Sequence, residues 1–295
     1  MRLRKSRKKF FIVFLLLVTI ITTMIYFDNN VLQVSHYTVK SNKIQTSFND
    51  FKILQLSDLH SKDFGNHNYK LIEKINSENP DIVVMTGDMI NTSDTDFEVF
   101  INLAEQVSKN HVTYYIVGNH EENLTDDKLK SLTNKLGRIG ISVLDNKKVT
   151  ITKGKDSINL YGLWFNLRYY KDANYYNEKE LFFGVGQNKT LLGNLDSNLY
   201  NILLTHNPLY FDTYSSWGAD LTLAGHIHGG MIRIPFVGGL FSPERRLFPK
   251  YDAGKYQING KELIVNRGLG DGNLLIRIFN RPEISVITLK HKSAQ

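Results

Sequence analysis

Apolar positions along this chain change period several times, and each change predicts an element. The first run, "FFIVFLLLVTIITTMIYF" (residues 10–27), has no charge and no polar face. It is long enough for a helix to cross a bilayer, which takes roughly 17–25 residues. Further on, "FKILQL" (51–56) reads as a strand. "NYKLIEKINSEN" (68–79) places Leu71, Ile72 and Ile75 on one side of an amphipathic helix. "DIVVMT" (81–86) is a buried-type strand, "DTDFEVFINLAEQVSK" (94–109) a second helix and "VTYYIV" (112–117) a third strand. This alternation predicts parallel strands in an α/β protein. "SINLYGLW" (157–164), "YNILLT" (200–205), "DLTLAG" (220–225), "KELIVNRG" (261–268) and "EISVITLK" (283–290) are also strand-like, with less helix between them. Two packed sheets with helices outside fit this order. Residues 28–50 are mixed and polar, a linker with a candidate first strand at "HYTVKS" (36–41). No repeat or Pro/Gly/Ser-rich tract divides residues 51–290, which read as one domain.

Charge changes the picture at the N-terminus. The net charge is +7, but Arg2, Arg4, Lys5, Arg7, Lys8 and Lys9 supply six positive charges with no acid among residues 1–9. The remainder carries only +1, so no basic, phosphate-tracking surface is indicated and no nucleic-acid partner is expected. Residues 1–9 instead form a basic flank to the apolar run. Such a flank stays in the cytoplasm, which predicts a single-pass membrane protein with its domain outside. A cleaved signal peptide is the competing reading. No small-x-small cleavage site follows the run, which favours an uncleaved anchor. The chain has no cysteine, so any metal must be held by nitrogen and oxygen.

Candidate chemistry sits at the strand ends. "ILQL" leads into Ser57-Asp58-Leu59-His60, "VVMT" into Gly87-Asp88, and "YYIV" into Gly118-Asn119-His120-Glu121. "ILLT" leads into His206-Asn207-Pro208, and "LTLA" into Gly225-His226-Ile227-His228. Carboxyl ends of parallel strands share one edge of the sheet, where ligands bind. Asp58 precedes Asp88 by 30 positions and Asp88 precedes Asn119 by 31, each close to one strand–helix–strand unit of about 30 residues. One such Asp or Asn is ordinarily a cap or turn residue. Caps do not call for histidine, and five of the nine histidines stand in these motifs. The other four, His36, His67, His111 and His291, are expected at the solvated surface. Together the motifs point to a metal site.

The pattern Asp-x-His, Gly-Asp, Gly-Asn-His-Glu, His, Gly-His-x-His resembles the signature of the calcineurin-like metallophosphoesterase superfamily across residues 51–230. "NRGLGDGNLLIRIFNRPEI" (266–284) is similar to a bacterial membrane-associated branch resembling UDP-2,3-diacylglucosamine pyrophosphatase-like phosphodiesterases. The resemblance implies a four-layer α/β/β/α sandwich holding two divalent ions. Mixed imidazole and carboxylate ligands suit Mn, Fe or Zn. Asp58, His60 and His228 would hold one ion; Asn119, His206 and His226 the other; Asp88 would bridge them. Paired ions ~3.5–4 Å apart bind a bridging hydroxide that attacks phosphorus. His120 would lie beside the substrate and protonate the leaving group or stabilise the transition state.

Two departures from the protein Ser/Thr phosphatases of the superfamily narrow the expectation. Asn91 stands where they carry a second Asp, and Val117 where they carry Arg. Asn91 cannot serve as a carboxylate tuning His120, so either Glu121 orients that ring or nothing charged does. The alternative for Glu121 is a purely structural hydrogen-bonding role, and both readings stand at this point. The leading expectation is an anchored phosphodiesterase or pyrophosphatase acting on a lipid- or envelope-linked phosphate ester. The alternatives are a broad extracytoplasmic phosphomonoesterase and a non-catalytic binding scaffold.

Overall fold

The computed structural model describes residues 2–164, 166–170, 183–243, 246–271 and 276–293. Helix α1 (Arg2–Asn30) contains the apolar run, and Lys8–Asn30 is long and apolar enough to cross a membrane, with no part of its most apolar stretch buried in the protein. After it come β1 (Gln33–Ser41), β2 (Lys52–Leu56), α2 (Tyr69–Glu78), β3 (Ile82–Met85), α3 (Glu98–Ser108) and β4 (Val112–Tyr115). Next are the short α4 (Asn119–Glu122), α5 (Asp126–Arg138), β5 (Ser142–Val143), β6 (Lys147–Lys153) and β7 (Asp156–Leu163). The later part has α6 (Val185–Leu192), β8 (Tyr200–Thr205), α7 (Phe211–Trp217), β9 (Leu221–Ala224), β10 (Arg233–Ile234) and β11 (Gly238–Gly239). It closes with β12 (Gly254–Ile258), β13 (Lys261–Val265) and β14 (Glu283–His291).

Two six-stranded sheets result, ordered β1-β14-β2-β3-β4-β5 and β12-β13-β9-β8-β7-β6. In the first, β2, β3, β4 and β5 are parallel neighbours. In the second, β7, β8, β9 and β13 are parallel. β1 pairs with β14 over nine residues, Gln33 to Ser41. The strand-like part of the 28–50 segment is thus an edge of the first sheet.

Alternation along each strand explains the layers. Ile82 and Val84 of β3 join the core between the sheets, while Val83 and Met85 pack with Leu71, Ile75, Phe100 and Leu103 of α2 and α3. In β8, Ile202 and Leu204 face the inter-sheet core, and Leu203 packs with Phe211, Tyr214 and Trp217 of α7. Side chains of a strand alternate faces with period two, so strands apolar on both faces need cover on both. The result is the four-layer α/β/β/α arrangement, with the carboxyl ends of the parallel strands at one edge.

Candidate metal centre

Tight loops follow β2, β3, β4, β8 and β9, and they bring all five motifs together. Asp58, His60, Asp88, His226 and His228 have positive φ values of 51°, 48°, 53°, 73° and 51°. This left-handed region is uncommon for residues other than glycine, and such strain gathers at sites where side-chain aim matters more than backbone ease. The neighbouring glycines permit the approach. A Cβ on Gly225 would lie 2.0 Å from Ser57 Oγ and 2.3 Å from Asp58 Oδ2; one on Gly118 would lie 2.3 Å from Asp88 Oδ1.

Ligand-type atoms converge in overlapping groups. Those of Asp58, His60 and His228 lie within 4.8 Å of one another, as do those of Asp88, His206 and His226, and those of His60, Asp88 and His120. His60 Nε2 is 3.1 Å from His228 Nε2, which is 3.3 Å from Asp58 Oδ1. His206 Nε2 is 3.1 Å from Asp88 Oδ2. Asp88 divides its oxygens: Oδ1 accepts the His120 backbone N–H at 2.7 Å, and Oδ2 faces both His206 and His60, the latter at 3.9 Å. Asn119 Oδ1 is buried without a hydrogen-bond partner among the described residues.

Hydrogen bonds behind the rings fix their tautomers. His206 Nδ1 donates to the Thr86 carbonyl at 2.6 Å. Asn91 donates from Nδ2 to the His60 carbonyl, so its Oδ1 accepts from His60 Nδ1 at 3.0 Å. In the neutral rings both Nε2 atoms therefore present lone pairs to one another's carboxylates and imidazoles. Such a cluster of buried acceptors is unfavourable unless a cation joins it. Electrostatics agree. Burial disfavours charge on Asp88, yet His206, His120 and His60 hold its carboxyl well below the usual range. Burial likewise opposes a proton on His206, but Asp88 and Asp58 outweigh it and raise the ring to about 10, so the two carboxylates draw positive charge, from a proton or a bound cation, to this point. Burial and His60 push His228 down, toward the neutral form that a metal ligand needs. The residues present fit a pair of divalent cations.

These observations decide the comparison with known proteins, because the calcineurin-like phosphoesterase family profile matches residues 51–230, the span that carries the cluster. The chain belongs to the calcineurin-like phosphoesterase family. It is 31% identical over 270 residues to YkuE of Bacillus subtilis, an uncharacterised metallophosphoesterase, covering 90% of this chain and 88% of that one. It is 28% identical over 247 residues to the phosphodiesterase YaeI of Escherichia coli, covering 81% and 82%. Neither name specifies a UDP-2,3-diacylglucosamine substrate. As a calcineurin-like phosphoesterase the chain is a metal-dependent phosphoric ester hydrolase using two divalent ions.

Some parts of the phosphoesterase site were not legible as motifs. Asn91 orients His60. Thr92 sets His120: its backbone N–H donates to Nδ1 at 3.2 Å, and its hydroxyl donates to the His120 carbonyl at 2.9 Å. With Nδ1 accepting, Nε2 is the nitrogen left for the site. Burial lowers the His120 pKa. Arg277, fully buried, donates to the carbonyls of Gly270, Arg267 and Asn280, and the Gly270 N–H reaches the Asp58 carbonyl at 2.6 Å. It braces the C-terminal loop against Asp58. His36 and His67 are exposed, whereas His111 and His291 are half-buried and bonded to Asn76 and the Ile44 carbonyl, a correction to their expected solvation. All four lie outside the cluster.

Glu121 takes the structural role rather than orienting His120. Its carboxylate is buried and accepts backbone N–H groups from Asp88 and Gly118 at 2.9 Å each, and from Met89 at 2.6 Å. It clips the Gly-Asp loop to the turn that carries Asn119. Burial and Asp88 raise its pKa to about 7, while His206 and the N–H donors oppose the rise. Glu121→Ala strands several buried donors at ~1–3 kcal/mol each, so thermal unfolding should show a loss of about 3 kcal/mol or more. Unchanged unfolding with lost turnover would instead make Glu121 a catalytic group.

Proposed function

We propose that this phosphoesterase is a membrane-anchored phosphodiesterase or pyrophosphatase for a lipid- or envelope-linked phosphate ester, with its domain outside the cytoplasm. One observation carries the reading. The end of α1 is bonded directly to the loop that follows the first metal motif: Lys62 Nζ donates to the Asn29 carbonyl at 2.6 Å, only two residues after His60. Asp28 and Asn29 also take part, accepting from the backbone N–H groups of Phe279 and Arg277. An anchor so attached holds the metal centre near the bilayer surface. The basic residues before the apolar run support a cytoplasmic N-terminus. YaeI's name supports diester cleavage.

In this reading Asp58, His60 and His228 would hold one ion and Asn119, His206 and His226 the other, with Asp88 shared between them; its Oδ1 accepts the His120 N–H, and its Oδ2 faces His206 and His60. When bound, the pair supplies an activated water and positive charge for the phosphoryl oxygens. His120 points Nε2 into the site, placed by Thr92, and delivers a proton or hydrogen bond to the departing oxygen. A cleft of about 740 Å³ beyond the adjacent Glu122, lined by Asn166, Arg168, Tyr169, Trp164 and Phe183, offers mixed polar and aromatic surface for the organic part of the ester. Tyr170, next along the chain from this wall, places its ring 5.1 Å from that of His226.

The test is hydrolysis by the full chain in lipid nanodiscs, supplied in turn with Mn, Fe and Zn, of soluble monoesters, diesters, pyrophosphates and lipid-linked counterparts. Diesters or pyrophosphates, with the lipid-linked forms preferred, are the expected substrates. Preference for soluble monoesters would favour a scavenging phosphomonoesterase and reject the proposal.

A further inference from the structure

From the residues around the loop that carries His228, we infer that this phosphoesterase has a second membrane contact: an apolar rim formed by Ile234, Phe236, Val237, Phe248, Ile276 and Phe279, all exposed. Its occupant is the bilayer that holds α1. The inference rests on the reading of α1 as a membrane anchor.

The rim begins at the metal loop. Asn280 Nδ2 donates to the His228 and Met231 carbonyls at 2.7 and 3.0 Å, and Arg233 Nη1 donates to the Gly229 carbonyl at 2.9 Å. The β10–β11 hairpin projects from there. Its turn runs from Ile234 to Val237, closed by the Val237 N–H to the Ile234 carbonyl at 3.0 Å. Pro235 precedes Phe236, whose φ is 68°. This is the pattern of a type II turn, where the third position calls for glycine. An aromatic residue there incurs a conformational cost, and the Phe236 ring is fully exposed, so packing within the protein does not recover it. An exposed aromatic at a strained tip suits contact with something outside the fold.

Continuity identifies that contact. The Arg233 N–H donates to the Ile278 carbonyl at 2.9 Å, which joins the hairpin to the 276–281 segment. Phe279 lines a shared hollow with Ile234, Phe236 and Val237. Its own N–H donates to Asp28 Oδ2 at 2.5 Å, at the end of α1. Arg281 then donates to the Val31 and Leu32 carbonyls at 2.9 Å each. On the other side, the Phe248 N–H donates to the Leu240 carbonyl at 3.0 Å, beside β11. The rim and the helix end are thus one hydrogen-bonded unit with no linker between them. The charge-free run from Phe10 to Phe27 spans ~27 Å as a helix, close to the ~30 Å hydrocarbon thickness. Asp28 then sits at the headgroup level, and Phe279, bonded to it, sits there too. Aromatic side chains favour that depth. The rim would leave the metal centre facing the interface, so an ester could enter without leaving the membrane.

The natural absence of cysteine makes the test direct. Phe236→Cys, Phe248→Cys and, as a control on exposed α5, Lys128→Cys would each be spin-labelled in the full chain and placed in phosphatidylglycerol-containing nanodiscs. Retained hydrolysis of a soluble chromogenic diester confirms that each labelled protein is folded. Labels at 236 and 248 should collide several-fold more with oxygen, relative to a polar nickel reagent, than the label at 128. Equal ratios at all three sites would overturn the inference. So would labels at 236 and 248 shielded from both reagents, which would mean that a protein surface covers the rim. The reading does not depend on which ester is cleaved: immersed labels on an enzyme inactive toward lipid-linked esters would reject the proposed substrate and leave the membrane contact standing.

Discussion

Asp88→Asn is expected to lower occupancy at both metal positions and to abolish turnover. One oxygen of Asp88 is tethered by the His120 N–H, and the other faces His206 and His60, which belong to opposite halves of the cluster. An amide keeps the shape but removes the negative charge that two cations would share. It also replaces an acceptor with an N–H₂ donor aimed at one of these positions. The loss should exceed the ~10²–10³-fold that follows removal of a single electrostatic contact. Elemental analysis of the purified variant, with circular dichroism as a check on folding, separates this from collapse. Two ions retained with near-parental turnover would show that Asp88 is not the bridge.

His120→Ala should cost about 10²–10⁴ in rate, the usual range for losing a general acid, with both ions still bound. Its ring is held by Thr92 through Nδ1, leaving Nε2 for the substrate. The loss should be largest for esters with basic leaving groups and smaller for nitrophenolate, which departs without a proton. Burial lowers the His120 pKa below its ordinary value. With the Thr92 N–H donating to Nδ1, the ring is the neutral tautomer with its proton on Nε2, and the lowered pKa keeps it so. A variant short of one ion would make His120 a ligand. An equal loss across leaving groups would assign it to stabilising phosphoryl charge rather than donating a proton.

The reach of the sequence depended on how local each signal was. Strand–helix alternation and the polar residue at each strand end are local, and they placed β2, β3, β4, β8 and β9 and all eight proposed site residues at one edge. Helix α5 was not visible, because most of "DDKLKSLTNKLGR" is polar and only Leu132 and Leu136 are buried. β6 reads as polar because its side chains are exposed or half-buried at the edge of the second sheet. Glu121 could not be resolved from sequence. Besides the nearby Gly118, its partners are the backbone N–H groups of Asp88 and Met89, far off in sequence, which no residue type announces. Asn91 stood out only as a departure from a related signature; its hold on His60, like that of Thr92 on His120, depends on rings brought near by the fold. Arg277 lies in the 266–284 segment, where no residue type announces its role, yet it is a fully buried brace on the loop against Asp58.

Two ions, bound by these residues, are expected to carry hydrolysis of the phosphate ester. The most direct test is to strip the full chain with a chelator, then titrate Mn back while following a chromogenic diester, the proposed substrate class. Activity should appear only as the second equivalent binds. Full turnover with the metal removed, or complete at a single equivalent, would rule out a two-ion centre.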